Sequence, residues 1–317
     1  RTTELRDAPV LRIRSMVQWD APVLRILSGN GNDGGNDSME PILAQETASA
    51  NAWPSVEGGI IDFHAHIFPE ALASKAVAHI GRHYGIPMHR NGLLEDLIES
   101  TDRSGVSQVI LLSSATRPAQ TQTVNRWLAE RQDERFIAFG TLHPDSAHIE
   151  QQLEEILSLG LRGVKLHPEF QAFDIDDPKM DRIYRAIGGK LPILMHVGDP
   201  KLDHSAPIRL RRVLDRFPDL QLVAAHLGGY ERWDEARETL IGLPIWLDTS
   251  SALWAMSAEE AIDLIRCHGT DRVVFGTDYP VNSHAQELAL FDRLTLTVAE
   301  RQAILRDNAA RILGIRD

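Results

Sequence analysis

Three observations predict a (β/α)8 barrel, a TIM barrel, preceded by a disordered N-terminal extension. Five short apolar runs each end in a residue able to bind a metal or move a proton: His64 and His66, Lys165 and His167, His196, His226, and Asp278. Strand-like runs alternate with amphipathic stretches from Ile60 onward, and eight such units in about 255 residues fit a barrel. The first 58 residues carry none of this alternation.

The predicted strands cover 60–66, 107–113, 135–142, 162–167, 191–197, 220–226, 244–249 and 272–278. They are short apolar runs of the kind that parallel sheets bury on both faces. Helical periodicity fills the gaps at 93–104, 147–159, 208–217, 258–267 and 299–313. In 147–159, for example, Ile149, Leu153, Ile156 and Leu157 fall on one face. A doubly wound open sheet is the competing architecture. The barrel has a functional corollary, because its active site sits at the C-terminal ends of the strands, where every residue named above lies.

The N-terminal segment holds a tandem echo, Asp7 to Ile13 and Asp20 to Ile26, followed by a Gly/Asn/Asp tract from Ser28 to Ser38. Such a tract favours turns and buries nothing, so residues 1–58 are expected to be a flexible extension and 59–317 the barrel. Met16 and Met39 are other conceivable starts for a chain that begins here with Arg1.

A net charge of −12 argues against a nucleic-acid surface and against anionic membrane, leaving a small-molecule partner as the expectation. No run approaches the roughly 18 apolar residues of a membrane span, and no signal-peptide pattern opens the chain, so the cytoplasm is expected. Cys267 is the single cysteine, so a thiolate metal cluster is excluded and any metal falls to His, carboxylate or a modified Lys.

Residues two apart in a strand point to one side, which predicts that Asp62, His64 and His66 share a face, as do Lys165 and His167. Gathered at one barrel end, the histidines and Asp278 form a mixed nitrogen and oxygen set that suits Zn²⁺, Fe²⁺ or Mn²⁺. Gly228-Gly229 lacks the spacing of either phosphate-binding motif and serves as a sharp turn after strand six.

The runs Ile61-Asp62-Phe63-His64-Ala65-His66, Met195-His196-Val197-Gly198-Asp199, Ala224-Ala225-His226-Leu227-Gly228-Gly229 and Phe275-Gly276-Thr277-Asp278-Tyr279-Pro280 resemble the motifs of the amidohydrolase superfamily. The resemblance is to the amidohydrolase-related branch that includes aminocarboxymuconate semialdehyde decarboxylase. It covers roughly residues 60–315, including a closing Asp307-Asn308-Ala309-Ala310-Arg311 stretch. It implies that His64, His66, His196 and Asp278 bind one divalent ion, zinc first and manganese or iron as alternatives. His226 and Asp278 then do the acid/base work, and a homodimer is suggested by resemblance alone.

Lys165 has three readings: a carboxylated bridge to a second metal, a cationic anchor for a substrate carboxylate beside His167, or a paired structural lysine. His143 is expected to cap the turn before Pro144, and Asp248 to orient His226 or a loop. Histidines 79, 83, 89, 148, 204, 268 and 284 are expected to be solvated, with 79, 83 and 89 near enough to strand one to belong to a lid.

Two reactions share this site. In metal-assisted hydrolysis, bound water attacks an amide, ester or lactone carbonyl of a small carboxylated substrate, with His226 and the metal on the developing oxyanion. In nonoxidative decarboxylation, His226 or Asp278 delivers a proton to carbon of an unsaturated or aromatic acid and carbon dioxide leaves. Lys165 beside His167 departs from the decarboxylase pattern, which tilts the sequence toward hydrolysis.

Overall fold

The computed structural model describes residues 55–315. The extension expected over 1–58 therefore lies, through residue 54, outside the described residues.

Nine strand segments follow in order: β1 (Ile60–His66), β2 (Val106–Leu112), β3 (Phe136–Ala138), β4 (Gly140–Thr141), β5 (Val164–Leu166), β6 (Ile193–Met195), β7 (Leu222–Ala224), β8 (Trp246–Asp248) and β9 (Val273–Val274). Each pairs in parallel with the next, in the groups β1-β2-β3 and β4 through β9. The division falls at Phe139, inside one predicted strand. Its amide donates back to Leu111 (3.1 Å), whereas the Gly140 amide donates forward to Gly163 (2.9 Å). The two halves thus serve as one barrel strand, and the expected eight are present. The barrel closes where Phe63 N donates to Phe275 O (2.8 Å) and Asp278 N to His64 O (2.8 Å).

The helices are α1 (Glu70–Tyr84), α2 (Leu94–Ser104), α3 (Thr121–Ala129), α4 (Ile149–Ser158), α5 (Pro168–Gln171), α6 (Asp181–Ile187), α7 (Pro207–Arg216), α8 (Trp233–Thr239), α9 (Ala258–His268), α10 (His284–Asp292), α11 (Val298–Gln302) and α12 (Asn308–Leu313). All five predicted helical stretches appear among them. α9 starts where it should because Ser257 and Glu260 form a reciprocal cap. α1 is long but largely uncovered: of its fifteen residues only Ala73 is fully buried.

Alternation along the strands sorts the core into two. Ile61, Phe63, Ile110, Leu112, Leu194, Val223 and Val274 fill the barrel interior, and Ala309, Ala310 and Leu313 of α12 pack against them. Ile60, Val109, Val164, Ile193, Leu222 and Val273 face the helices. β1 breaks this rule, because its register against β2 slips between Asp62 and Ala65. The expectation that Asp62 shares a face with His64 and His66 is thereby corrected. Phe63 still points inward and Ala65 outward, so the slip turns His64 inward and leaves Asp62 on the helix side, 3.0 Å from His284 Nε2 of α10.

Among the described residues no helix is long and apolar enough to cross a membrane.

Candidate active site

The strand tips do converge. His64 is buried, and its Nδ1 lies 2.8 Å from Asp248 Oδ2. A carboxylate can only accept, so Nδ1 carries the proton and Nε2 presents a lone pair. Asp248 therefore orients His64, and through Oδ1 it also accepts the backbone amide of His226 at 3.0 Å. Space for His64 comes from Gly276, where a Cβ would stand 2.9 Å from the His64 Cβ.

Three donor atoms meet at that lone pair. His64 Nε2 is 3.1 Å from His66 Nε2, and Asp278 Oδ1 is 3.4 and 3.6 Å from the two imidazoles. Bonds of about 2.1 Å from one ion separate neighbouring ligands by roughly 3.0–3.5 Å, so this triangle has the dimensions a divalent ion needs. Burial, then the neighbouring Lys165, holds both imidazoles well below their ordinary pKa and so neutral, the form that ligates. Burial pushes the Asp278 carboxyl the other way, up to about 7. Ser251 Oγ donates to its second oxygen, Oδ2, at 2.7 Å.

His196, the fourth ligand implied by the family motifs, stands apart from this triangle. Its Nδ1 is 2.9 Å from His226 Nε2, and its Nε2 is 2.8 Å from the Gly198 carbonyl. His226 in turn places Nδ1 2.9 Å from the Ser250 carbonyl. A carbonyl accepts, so Nδ1 holds the His226 proton. Burial lowers the ring's pKa to about 4, keeping it neutral with a bare Nε2.

Lys165 is fully buried with Nζ 3.1 Å from His64 Nε2, and burial lowers its pKa to about 8 against the pull of Asp278, Asp248 and Glu169. It lies beneath the site and does not line the cavity; His167 does. His167 stacks on His196 with centroids 4.0 Å apart and planes 9° from parallel. Glu169 Oε2 sits 3.5 Å from His167 and 3.7 Å from His196, and burial raises its carboxyl to about 7. An ion bound to imidazole lies near the ring plane, and two stacked planes cannot share one. We assign no second metal to this trio, in which His167 Nδ1 and Glu169 Oε2 are buried without a hydrogen-bond partner among the described residues.

Sequence reasoning passed over three cavity residues. Glu169 follows His167 by two positions, and Tyr230 follows His226 by four, so each was signalled only by its nearness to a strand tip. Tyr84 ends α1 and places its hydroxyl 3.1 Å from His196 Nε2 and 3.4 Å from His167 Nε2. The Tyr230 hydroxyl is buried beside Glu231, with no hydrogen bond of good geometry among the described residues. His83 lines the same cavity, with Nε2 2.7 Å from Asp199. His143 caps its turn as expected, accepting from Asp145 N at 3.2 Å. His268 and His284, expected to be solvated, are buried instead: His268 Nε2 meets the Ile245 carbonyl at 2.9 Å, and His284 Nδ1 meets Ser100 Oγ at 2.8 Å.

Above the floor opens a cavity of about 930 Å³, lined at its base by His66, His226, Tyr230 and Asp278. His226 (φ 60°) and Asp278 (φ 56°) both adopt left-handed backbone, a strain that non-glycine residues tend to carry at functional sites.

A family model described as Amidohydrolase matches residues 61–315. An uncharacterised TIM-barrel protein from Bordetella bronchiseptica superposes with a TM-score of 0.66 at 22% identity, covering 81% of this chain and 98% of its own. 5-Carboxyvanillate decarboxylase from Sphingomonas paucimobilis does so at 0.62 and 18%, covering 81% and 99%. A dihydroxybenzoic acid decarboxylase from Polaromonas, solved with manganese and the inhibitor 2-nitroresorcinol, gives 0.63 and 18%, covering 81% and 97%.

Proposed function

The chain belongs to the amidohydrolase family, and from that premise we propose that it is a divalent-metal-dependent nonoxidative decarboxylase of small aromatic carboxylic acids. His64, His66 and Asp278 would hold the ion, with residues 59–317 as the catalytic barrel. Of the ions expected from the sequence, manganese is the one bound in the Polaromonas structure, and nitrogen and oxygen donors suit it as they suit zinc. When bound, the ion supplies Lewis-acid charge that fixes and polarises the substrate's oxygens.

The observation that favours decarboxylation over hydrolysis is the proton count on His226. Hydrolysis asks this ring for an N–H directed at a developing oxyanion. Its one N–H is committed to the Ser250 carbonyl, and Nε2 faces His196. Decarboxylation asks instead for a proton donor to carbon. Asp278 divides its two oxygens, Oδ1 toward the imidazoles and Oδ2 toward Ser251, so with Oδ1 on the ion Oδ2 is the atom placed to pass a proton to carbon. Delivered to the ring carbon that bears the carboxylate, that proton allows the carbon–carbon bond to break. The bonding pair restores the ring, carbon dioxide departs, and Asp278 regains a proton from water. The apolar cavity wall assists, because the step converts a charged carboxylate into neutral products.

The test is turnover in heavy water by the metal-loaded enzyme with hydroxybenzoate-type acids. Expected are carbon dioxide and one deuterium at the vacated ring carbon. Hydrolysis of an amide, ester or lactone panel without release of carbon dioxide from any acid would reverse the assignment.

A further inference from the structure

The cavity is far larger than the reacting group requires, and the excess is apolar. A space of about 150 Å³ accommodates one benzene ring, against about 930 Å³ in this cavity. From the floor it extends between α1 and α3, where Leu72, Ala76 and Ile80 face Val124 and Trp127. These side chains are incompletely covered: Leu72 is 53% exposed, and Val124 and Trp127 are only half-buried. The floor has the opposite character. There the buried Tyr230 hydroxyl has no hydrogen bond of good geometry among the described residues and lines the same space. A buried hydroxyl so placed is unfavourable, so the occupant should bring it an oxygen. One continuous cavity therefore asks for one molecule with an oxygenated head and an apolar body longer than a single ring.

We infer that the substrate is a carboxylic acid carrying two fused or linked aromatic rings. Its carboxylate and neighbouring oxygen lie at the floor beside Tyr230, and its second ring lies between α1 and α3. The identity of the reacting group rests on the decarboxylase proposal; the size of the body does not. Val124 and Ala76 are then specificity-determining residues remote from the chemistry.

Calorimetric binding to the metal-loaded full chain, followed by carbon dioxide release, tests this with a hydroxybenzoate, a hydroxynaphthoate and a hydroxybiphenyl carboxylate. At least one two-ring acid should bind tenfold or more tightly than the one-ring acid. Val124→Trp should abolish that preference while changing one-ring binding less than about twofold. Ala76→Phe, from the opposite wall, gives the same readout should the first variant not fold. Tyr230→Phe should weaken one-ring and two-ring acids by the same factor, because the floor is common to both. Equal or weaker binding of both two-ring acids, or a preference that survives both channel-filling variants, overturns the inference. A two-ring preference in binding without carbon dioxide from any acid upholds the inference and removes the decarboxylase proposal. Decarboxylation confined to the one-ring acid does the reverse.

Discussion

At the scale of the residue, the site divides its imidazoles by what each ring nitrogen already holds. His64 Nδ1 is committed to Asp248 and its Nε2 lies with His66 Nε2 and Asp278 Oδ1, a set that would hold an ion, whereas His226 Nδ1 is committed to Ser250 and its Nε2 faces His196. His64→Ala should therefore lose most bound metal, whereas His226→Ala should retain it and, since Asp278 passes the proton, keep more turnover than Asp278→Asn does. Elemental analysis beside steady-state kinetics checks both. A second residue-scale prediction concerns Glu287 of α10, fully buried with Oε2 unpartnered among the described residues and its carboxyl raised by burial to about 8. The folded state holds that proton more tightly than the unfolded chain does. Its contribution is whole below the unfolded pKa near 4.5 and is lost as pH climbs through about 8. Glu287→Gln should accordingly leave the melting temperature nearly unchanged at pH 5 and raise it by several degrees at pH 9, as calorimetry would show. The sequence disclosed the strand-tip histidines because a polar residue ending an apolar run is conspicuous. It concealed the inward turn of His64 relative to Asp62, since a register slip leaves no mark in composition.

At the scale of the element, the strands were legible because each holds a short apolar run, and α2, α4, α7 and α9 because each buries one stripe. α10 was not, since His284, Glu287, Leu288, Leu290 and Phe291 are buried without a polar face to set the period. α1 escaped for the opposite reason: a helix that buries one residue has no apolar stripe to recognise. The closing helix shows how a motif of unassigned purpose acquires one. Asn308 Nδ2 donates to the Thr270 carbonyl at 2.8 Å and the Val273 carbonyl at 2.6 Å, fastening α12 to the strand that delivers Asp278. Asn308→Ala would strand two carbonyls and should cost about 2–3 kcal/mol. Urea denaturation should show a lower midpoint with an unchanged slope.

At the scale of the whole molecule, the barrel draws its donors from distant parts of the chain, so an ion bound to them favours the folded state alone. At a hundredfold excess over its dissociation constant, such an ion adds about 2.7 kcal/mol. Removing it with a chelator should lower the melting temperature by roughly 5–10 °C, and restoring manganese or zinc should recover the loss. An unchanged transition would place any bound ion elsewhere than at the barrel seam. The length and alternation of the chain were enough to predict this architecture. They could not predict the cavity, whose walls come from α1 and α3, elements whose position over the strand tips depends on tertiary packing.

The closing seam also sets a timetable. Asp62 and Thr277, hydrogen-bonded across it, are separated by 215 positions. At roughly 5–20 residues per second of synthesis, the first strand waits on the order of 10–40 s for the partner that completes the proposed metal site. During that interval the His64 and His66 pair can offer an ion only two ligands. Metal capture should therefore come late, after the last strand has left the ribosome, and a cell short of the ion would accumulate closed barrels awaiting metal rather than unfinished ones.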